Sequence, residues 1–262
     1  MQQSGSTVPP VAELQAPAHW RTVDFISDLH LQPSEPWTVG LWRDYLRRTS
    51  ADALFILGDL FEVWVGDDSL REGGSFEAEC AAVLREAGER LPLFFMVGNR
   101  DFLAGKEFLE ASGMRGLADP MVLRWAGRDI LLSHGDALCL DDVDYQRFRA
   151  LARSEAWQHQ LLAQPLTTRR ALAQSMRSES ERLKQDGAVY ADLDAVATMR
   201  WLDVAKASWF IHGHTHRPAD HCLEAGRWRI VLSDWHCDEA TRRAEVLRVT
   251  SEGWRRLAPE MA

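Results

Sequence analysis

Two pairs of residues, each separated by a single position, carry side chains that commonly bind metal ions. His214 and His216 form one pair, and Asp28 and His30 form the other. An extended or looped backbone can turn both members of such a pair to the same side, whereas adjacent residues point apart. Imidazole is the commonest metal-binding side chain, but two histidines alone often have no ligand role. The pairs therefore indicate a metal site only if other ligands join them.

Three further polar side chains follow apolar, strand-like segments. Asp59 and Asn99 each come directly after a glycine, and His134 ends the second arm of a hairpin that we predict around residues 126–128. Glycine allows a tight turn, so that the next side chain projects from the strand end. The repetition of this layout weakens the ordinary explanation that each Asp or Asn only forms a turn. We therefore predict one metal site built from seven side chains: Asp28, His30, Asp59, Asn99, His134, His214 and His216.

These seven side chains offer nitrogen and oxygen donors without a thiolate. That mixture suits Mn²⁺, Fe²⁺ or Zn²⁺ better than Ca²⁺ or a structural zinc ion. The set is large enough for two divalent ions that share one carboxylate, and Asp59 is the natural bridge. Two ions about 3.5–4 Å apart lower the pKa of a bound water and stabilise an in-line displacement at phosphorus. The pattern predicts hydrolysis of a phosphoester or a phosphoanhydride.

The predicted elements belong to one α/β domain. Of the 262 residues, 46% are hydrophobic, which is enough for a sizeable core. Prolines and polar residues predict a flexible N-terminal segment at 1–20, with regular structure beginning near Arg21 and one domain from 21 to 262. Helical periodicity is expected at 39–48 and 76–90. Strands are expected at 23–27, 53–57, 93–97, 121–125, 129–133, 208–211, 228–233 and 244–249.

The composition changes between about residues 142 and 206, where Arg, Gln, Leu and Ala dominate with helical spacing. This composition and spacing predict a helical insertion. It is either a bundle that packs on itself or a lid over the site. The insertion also carries basic side chains that would suit an anionic substrate or a membrane surface: Arg169, Arg170, Arg177, Arg182 and Lys184.

Charge and cysteine content argue against several classes of protein. The net charge of −9, from 39 acidic and 30 basic residues, gives little electrostatic support for binding nucleic acid. The four cysteines form no C-x-x-C pair, so neither a zinc knuckle nor a disulfide framework is indicated, and we expect a reducing, cytoplasmic compartment. No apolar run reaches the roughly 18 residues of a spanning helix. We therefore expect a soluble or peripheral protein.

Five motifs in order resemble the signature of the calcineurin-like metallophosphoesterases. They are Asp28-Leu29-His30, Gly58-Asp59, Gly98-Asn99, His134-Gly135 and Gly213-His214-Thr215-His216. The resemblance implies a two-sheet β-sandwich flanked by helices. It also implies two ion positions, the first held by Asp28, His30, Asp59 and His216, and the second by Asp59, Asn99, His134 and His214.

The residues around these motifs resemble a narrower family, the UDP-2,3-diacylglucosamine hydrolases of lipid A biosynthesis in Gram-negative bacteria. The resemblance is carried by residues 58–68, 98–103, 134–142 with 145–149, and 212–218. It implies a peripheral enzyme on the cytoplasmic face of the inner membrane. There, water activated by metal, typically Mn²⁺, attacks the α-phosphorus and yields UMP and 2,3-diacylglucosamine 1-phosphate. It further implies substrate contacts at Asn99, Arg100, Asp142, Ser180, Lys184 and His214.

Arg100 stands where many relatives in the wider family have a histidine that acts as a general acid. A phosphate-type leaving group needs little protonation, because the second pKa of a phosphomonoester is about 6. Arginine can instead donate charge-assisted hydrogen bonds to phosphate oxygens. We assign catalytic roles to Asp59, Asn99, Arg100 and His214, and expect no dedicated protein acid.

Two other classes of function stay open at this point. One is a pyrophosphatase of the same fold that acts on a soluble nucleotide-sugar or dinucleotide. The Leu- and Trp-bearing insertion favours a lipid over this alternative, because acyl chains need an apolar chamber. The other is a binding module that kept the fold and lost the chemistry, and the full ligand set argues against it.

Overall fold

The computed structural model describes residues 8–185 and 191–262, with side chains at 8–177 and 191–262. In these ranges two six-stranded sheets pack face to face. The first contains, in spatial order, β14 (Gly253–Leu257), β13 (Val246–Thr250), β2 (Thr22–Ile26), β3 (Ala53–Leu57), β4 (Leu93–Met96) and β5 (Arg115–Gly116). The second contains β1 (Ala12–Gln15), β6 (Met121–Trp125), β7 (Arg128–Ser133), β8 (Trp209–His212), β10 (Trp228–Val231) and β9 (Ala219–Cys222). A short ribbon pairs β11 (His236–Cys237) with β12 (Arg242–Arg243).

Parallel pairing determines where the strand ends lie. Strands β2, β3, β4 and β5 are parallel neighbours in the first sheet, and β7, β8 and β10 are parallel neighbours in the second. The carboxyl ends of parallel strands meet at one edge of a sheet, where ligand sites of α/β proteins commonly form. The predicted hairpin is confirmed, since β6 and β7 pair antiparallel around residues 126 and 127.

Among the described residues, apolar clusters lie between the sheets and on the outer face of each sheet. Between the sheets, the rings of Phe25, Phe55 and Phe94 stack in a row, in the same cluster as Leu123 and Ile211 of the second sheet. On the outer face of the first sheet lie α1 (Pro36–Arg48), α2 (Phe76–Gly88) and α3 (Lys106–Ser112). Strands β3 and β4 of the first sheet thus face apolar groups on both sides, which explains their nearly continuous hydrophobic sequence.

The N-terminal segment differs from the prediction. We expected regular structure to begin near Arg21, but β1 pairs along its whole length with β6 as a parallel edge strand. Trp20 is buried, and its carbonyl accepts a hydrogen bond of 3.2 Å from the indole of Trp125. The prolines on which the prediction rested flank the strand rather than interrupt it. The prediction that regular structure begins near Arg21 is therefore wrong, since it begins at Ala12, while residues 1–7 lie outside the described range.

The predicted insertion is helical and divides into two parts. It contains α4 (Val143–Ala152), α5 (Glu155–Leu162), α6 (Leu166–Gln185) and α7 (Ala195–Ala205). Trp201 and Leu202 of α7 are buried against the outer face of the second sheet, so α7 is part of the sandwich. The first three helices are the part that can cover a site. No helix in the described ranges is long and apolar enough to cross a membrane.

Candidate metal centre

The loops that carry the predicted ligands have an unusual backbone. Five of the seven residues have a left-handed φ between 50° and 67°: Asp28, His30, Asp59, His214 and His216. This conformation is uncommon outside glycine and costs of order 1 kcal/mol or more per residue. In each predicted pair both members are left-handed and reach the same centre. The pairs are thus looped, which is one of the two alternatives that the sequence allowed.

Two glycines of the motifs allow the loops to approach closely. A Cβ atom on Gly98 would lie 2.1 Å from Oδ1 of Asp59, and one on Gly213 would lie 2.3 Å from Oδ2 of Asp28. Any side chain at either position would push a carboxylate out of the centre. The glycines are therefore needed for close contact between loops, whereas the sequence had indicated only a tight turn.

Three donor residues gather at the first position. The Nε2 atom of His216 lies 3.3 Å from Oδ1 of Asp28 and 3.2 Å from Nε2 of His30. Donor atoms of these three side chains all lie within 4.8 Å of one another. Asp28 is buried, and its carboxylate also accepts hydrogen bonds of 2.9 and 3.1 Å from the backbone N–H of His214. The first loop and the His214–His216 loop are thus joined through Asp28.

The orientation of the two histidines fits a cation. Nδ1 of His30 lies 3.0 Å from a carboxylate oxygen of Glu62, and Nδ1 of His216 lies 3.6 Å from one of Asp234. A neutral imidazole that donates from Nδ1 presents Nε2 as an acceptor. Two acceptors 3.2 Å apart repel each other unless a cation or a proton lies between them. The donor set therefore fits a divalent metal ion.

Four donor residues gather at the second position. Nδ1 of His134 donates to the carbonyl of Leu57 over 2.9 Å, which turns its Nε2 towards Oδ1 of Asn99 at 3.0 Å. Nδ1 of His214 lies 2.9 Å from the same amide oxygen. The carboxylate of Asp59 lies between the two positions, with Oδ1 3.7 Å from Nε2 of His134 and Oδ2 4.0 Å from Nε2 of His30. The structure thus brings all seven predicted residues to one edge of the sandwich.

The pKa values of His134 and His214, both at the second position, shift in opposite directions. Burial opposes charging of His134, but the carboxylates of Asp59, Asp28 and Asp136 outweigh burial and raise its pKa to about 9. Burial and the neighbouring His134 lower the pKa of His214 to about 4. Although burial opposes it, the imidazole of His216 holds the pKa of Asp28 far below its usual range. The buried carboxylates thus make the centre an anionic site that favours positive charge.

Asp101 is a buried residue of the centre that the ligand pattern did not indicate. Its carboxylate accepts hydrogen bonds of 2.7 Å from the backbone N–H groups of Gly98 and Leu60. It therefore holds the Asp59 loop against the Asn99 loop. Burial and the nearby charge of Asp59 raise the pKa of Asp101 to about 6. Its position two residues after Asn99 was the only sequence signal available.

Asp136 performs a similar role on the other side of the centre. This buried carboxylate accepts hydrogen bonds from the hydroxyl of Tyr145 at 2.6 Å and from Nε of Arg149 at 2.7 Å. The ring of Tyr145 stacks on His214 with centroids 5.8 Å apart. Helix α4 is thereby fixed beside the second position, and Tyr145 covers His214.

Arg100 and Asp142, two of the other predicted substrate residues, lie in different surroundings. Arg100 lies beside the centre, where its backbone N–H donates to Oδ1 of Asp59 over 2.8 Å. Asp142 is exposed, and its side chain caps α4 by accepting from the N–H of Tyr145 at 3.0 Å. Ser180 and Lys184 lie in α6, but their side chains are outside the described part of the chain, as is that of Arg182.

Arg169 and Arg170, two of the basic residues predicted to face an anionic ligand, pair with acidic side chains instead. Arg169 is buried and donates to the carboxylate of Asp68. Arg170 pairs with Glu72 at 2.7 and 3.1 Å. These ion pairs attach α6 to the loop after β3. The expectation that Arg169 and Arg170 face a substrate or membrane is therefore wrong for this structure, because acidic side chains of the sandwich neutralise them.

Comparison with known proteins agrees with the geometry. A sequence model of the calcineurin-like phosphoesterase family matches residues 21–218. The chain is 44% identical over 251 residues to a UDP-2,3-diacylglucosamine hydrolase of Stenotrophomonas maltophilia (strain R551-3), covering 89% of this chain and 96% of the relative. It is also 44% identical over 250 residues to the protein of the same name from Xanthomonas campestris pv. campestris (strain B100), covering 88% and 96%.

Solved structures of similar fold include a dimetal phosphatase from Danio rerio, with a TM-score of 0.49 and 13% identity over 91% of this chain and 98% of that one. The sequence matches alone establish the family, since one covers most of the chain and the others exceed 40% identity over nearly its full length. The chain belongs to the calcineurin-like phosphoesterase family, and within it to the sequence group of the UDP-2,3-diacylglucosamine hydrolases.

Proposed function

We propose that the protein hydrolyses the pyrophosphate bond of UDP-2,3-diacylglucosamine, giving UMP and 2,3-diacylglucosamine 1-phosphate. The observation that carries this proposal is the extent of the sequence identity. It spans 96% of relatives that bear this name, so it includes the insertion as well as the family motifs. A pyrophosphatase for a soluble substrate would need to share only the motifs. The complete set of seven donor side chains also disfavours a non-catalytic binding module.

We assign two divalent ions to the centre, whose mixed nitrogen and oxygen donors suit Mn²⁺, Fe²⁺ or Zn²⁺. Among these, the family resemblance favours Mn²⁺. Asp28, His30 and His216 would hold the first ion, and Asn99, His134 and His214 the second. Asp59 would bridge them, because its two oxygens face the two positions. Divalent ions bound there would lower the pKa of a water ligand and offset the charge of the phosphates.

Side chains around the centre supply binding and charge stabilisation. The guanidinium of Arg100 is partly exposed beside the Asp59 loop, where it can donate to the phosphate oxygens. Asn99 can donate to the phosphate from its amide nitrogen while its oxygen faces His134 and His214. The pKa of His214 is about 4, so at neutral pH the ring is unprotonated and suits a ligand better than a general acid.

We propose that helices α4, α5 and α6 form a lid that accepts the acyl chains of the lipid. Up to residue 177, the described side chains of these helices include five large apolar ones that are between 38% and 53% exposed: Val143, Leu151, Leu162, Leu172 and Met176. An apolar surface near a phosphate-binding centre suits acyl chains and the edge of a membrane. We accordingly propose a peripheral position on the cytoplasmic face of the inner membrane. The protein should sediment partly with membranes and be released by mild detergent, and resistance to detergent would contradict this position.

The decisive assay combines purified protein, Mn²⁺ and UDP-2,3-diacylglucosamine, with release of UMP as the readout. A UDP-sugar without acyl chains is the matched control substrate. Rapid release of UMP from the lipid and slow release from the control support the proposal. Equal rates on both substrates would favour the soluble pyrophosphatase, and no hydrolysis of either would favour the binding module.

A further inference from the structure

Glu62 is a largely buried glutamate outside the seven donor residues, and it contacts three parts of the molecule. It lies three residues after Asp59, in the loop that follows β3. Its Oε2 atom is 3.0 Å from Nδ1 of His30. Its Oε1 atom is 3.2 Å from Nε of Arg177 and 3.6 Å from Nη1 of Arg100. One carboxylate thus joins the metal centre, the neighbouring arginine and helix α6 of the insertion.

The contact with His30 sets the orientation of that ring. A carboxylate that accepts from Nδ1 fixes the tautomer of an imidazole, turns Nε2 towards the centre and makes Nε2 a stronger donor to metal. In this structure Nε2 of His30 faces Nε2 of His216 at 3.2 Å. Removing the charge of Glu62 would weaken the donor strength of His30 and free its ring to rotate.

The contact with Arg177 attaches α6 to the loops of the centre. Arg177 also donates to the side chain of Gln32 over 3.0 Å. Gln32 follows Leu31 in the chain. Leu31 forms an isolated β-bridge with Phe61, the residue that precedes Glu62. Helix α6 is therefore held on the two loops that carry the donor residues after β2 and β3.

We propose that Glu62 is a positioning residue that couples metal binding to the docking of α6. A metal ion that fixes His30 would also fix Glu62 through Nδ1, and the other carboxylate oxygen would then hold Arg177 more firmly. Coupling between two sites is reciprocal, so a docked α6 also favours metal binding. This role rests on the proposed metal-dependent function, and the first measurement is therefore metal binding itself.

The first test compares Glu62→Gln with Glu72→Gln in metal-free protein titrated with Mn²⁺ by calorimetry. Glu72 pairs with Arg170 of the same helix but contacts no donor residue of the centre, so it is a matched control. We expect Glu62→Gln to weaken Mn²⁺ binding about 10- to 100-fold, and Glu72→Gln to leave it within about twofold of wild type. Equal affinity in both variants would overturn the proposal. Absence of Mn²⁺ binding by the wild type would instead overturn the proposed function, and this role with it.

The second test follows hydrogen exchange in peptides that cover residues 166–177, with and without Mn²⁺. In the wild type Mn²⁺ should slow exchange of α6, and in Glu62→Gln this effect should disappear. Arg177→Gln keeps the contact of Glu62 with His30, so it should bind Mn²⁺ more tightly than Glu62→Gln while also losing the effect on α6. This variant remains informative even if Glu62→Gln does not fold. Exchange that does not respond to Mn²⁺ in the wild type, or responds equally in all variants, would contradict the coupling.

Discussion

At the metal centre, Asp28, Asp59 and His134 are each at most 2% exposed, and every one of them contacts a residue from a different loop. In α4, α5 and α6, by contrast, only Ala152 and Arg169 are buried among the described side chains. The centre is held by buried hydrogen bonds between strand ends, whereas α6 is attached by ion pairs in which one side chain or both are more than a third exposed. Surface ion pairs contribute little to stability and buried polar networks contribute much. The two regions should therefore respond very differently to substitution.

The largest effect is expected at the residue shared by both ion positions. Asp59→Ala should lower turnover about a thousand-fold, or ~4 kcal/mol of barrier, because it removes the bridging carboxylate. It should also lower metal content, measured by elemental analysis, while circular dichroism stays native. Asp44→Ala is the control. It removes an exposed ion pair with Arg48 on α1 and should behave as wild type. Near-normal turnover by Asp59→Ala would refute the two-ion arrangement.

Replacing residues 155–190 with a short Gly-Ser linker removes α5 and α6 and keeps α4 on Asp136. The lipid substrate should lose about 100-fold in kcat/KM, because each methylene that the insertion buries contributes up to about 0.8 kcal/mol. A small chromogenic phosphodiester should keep activity within about tenfold, since all seven donor residues lie outside the deleted segment. Parallel loss on both substrates would show that the insertion supports the centre itself rather than the acyl chains.

Asp101→Asn tests the buried network without touching a donor residue. An amide in place of the carboxylate turns an N–H group towards the backbone donors of Gly98 or Leu60, and an unsatisfied buried donor costs about 1–3 kcal/mol. We expect a loss of that size in the free energy of unfolding, measured in urea. A loss below about 0.5 kcal/mol would mean that the two loops keep their relative position without Asp101.

The smallest effect is expected at the ion pair between Arg170 and Glu72. Both side chains are more than a third exposed, so Glu72→Gln should change the free energy of unfolding by at most about 1 kcal/mol. Salt should reduce the difference between variant and wild type, because exposed charges are screened. A larger, salt-independent change would show that the insertion is held more firmly than its exposed surface indicates.

The convergence of the seven donor residues was predictable because they belong to short local patterns. Each follows an apolar strand, and the adjacent glycine in Gly58-Asp59 or Gly98-Asn99 marks the turn. The supporting residues gave weaker signals. Asp101 and Asp136 lie two positions beyond a donor residue, but nothing in the sequence shows that their carboxylates accept hydrogen bonds from another loop.

The insertion contacts were not predictable, because they join residues far apart in the chain. Arg169 and Asp68 are 101 positions apart, and neither lies in a periodic pattern that indicates its partner. A charged residue on a helix is normally solvated, and only the fold shows which acidic group it meets. The same reason explains the edge strand β1, whose order depends on pairing with β6 rather than on its own composition.

The left-handed backbone at five of the donor residues limits which substitutions could make the protein more stable. At Asp28, His30, Asp59, His214 and His216 glycine would be the less strained residue, so each position sacrifices some stability of the folded chain. Relief of backbone strain alone would favour glycine at these positions. Glycine would, however, remove the donor side chains and the hydrogen bonds that Asp28 and Asp59 accept from neighbouring loops. An attempt to make this protein more heat-resistant should leave these five positions fixed and change residues elsewhere.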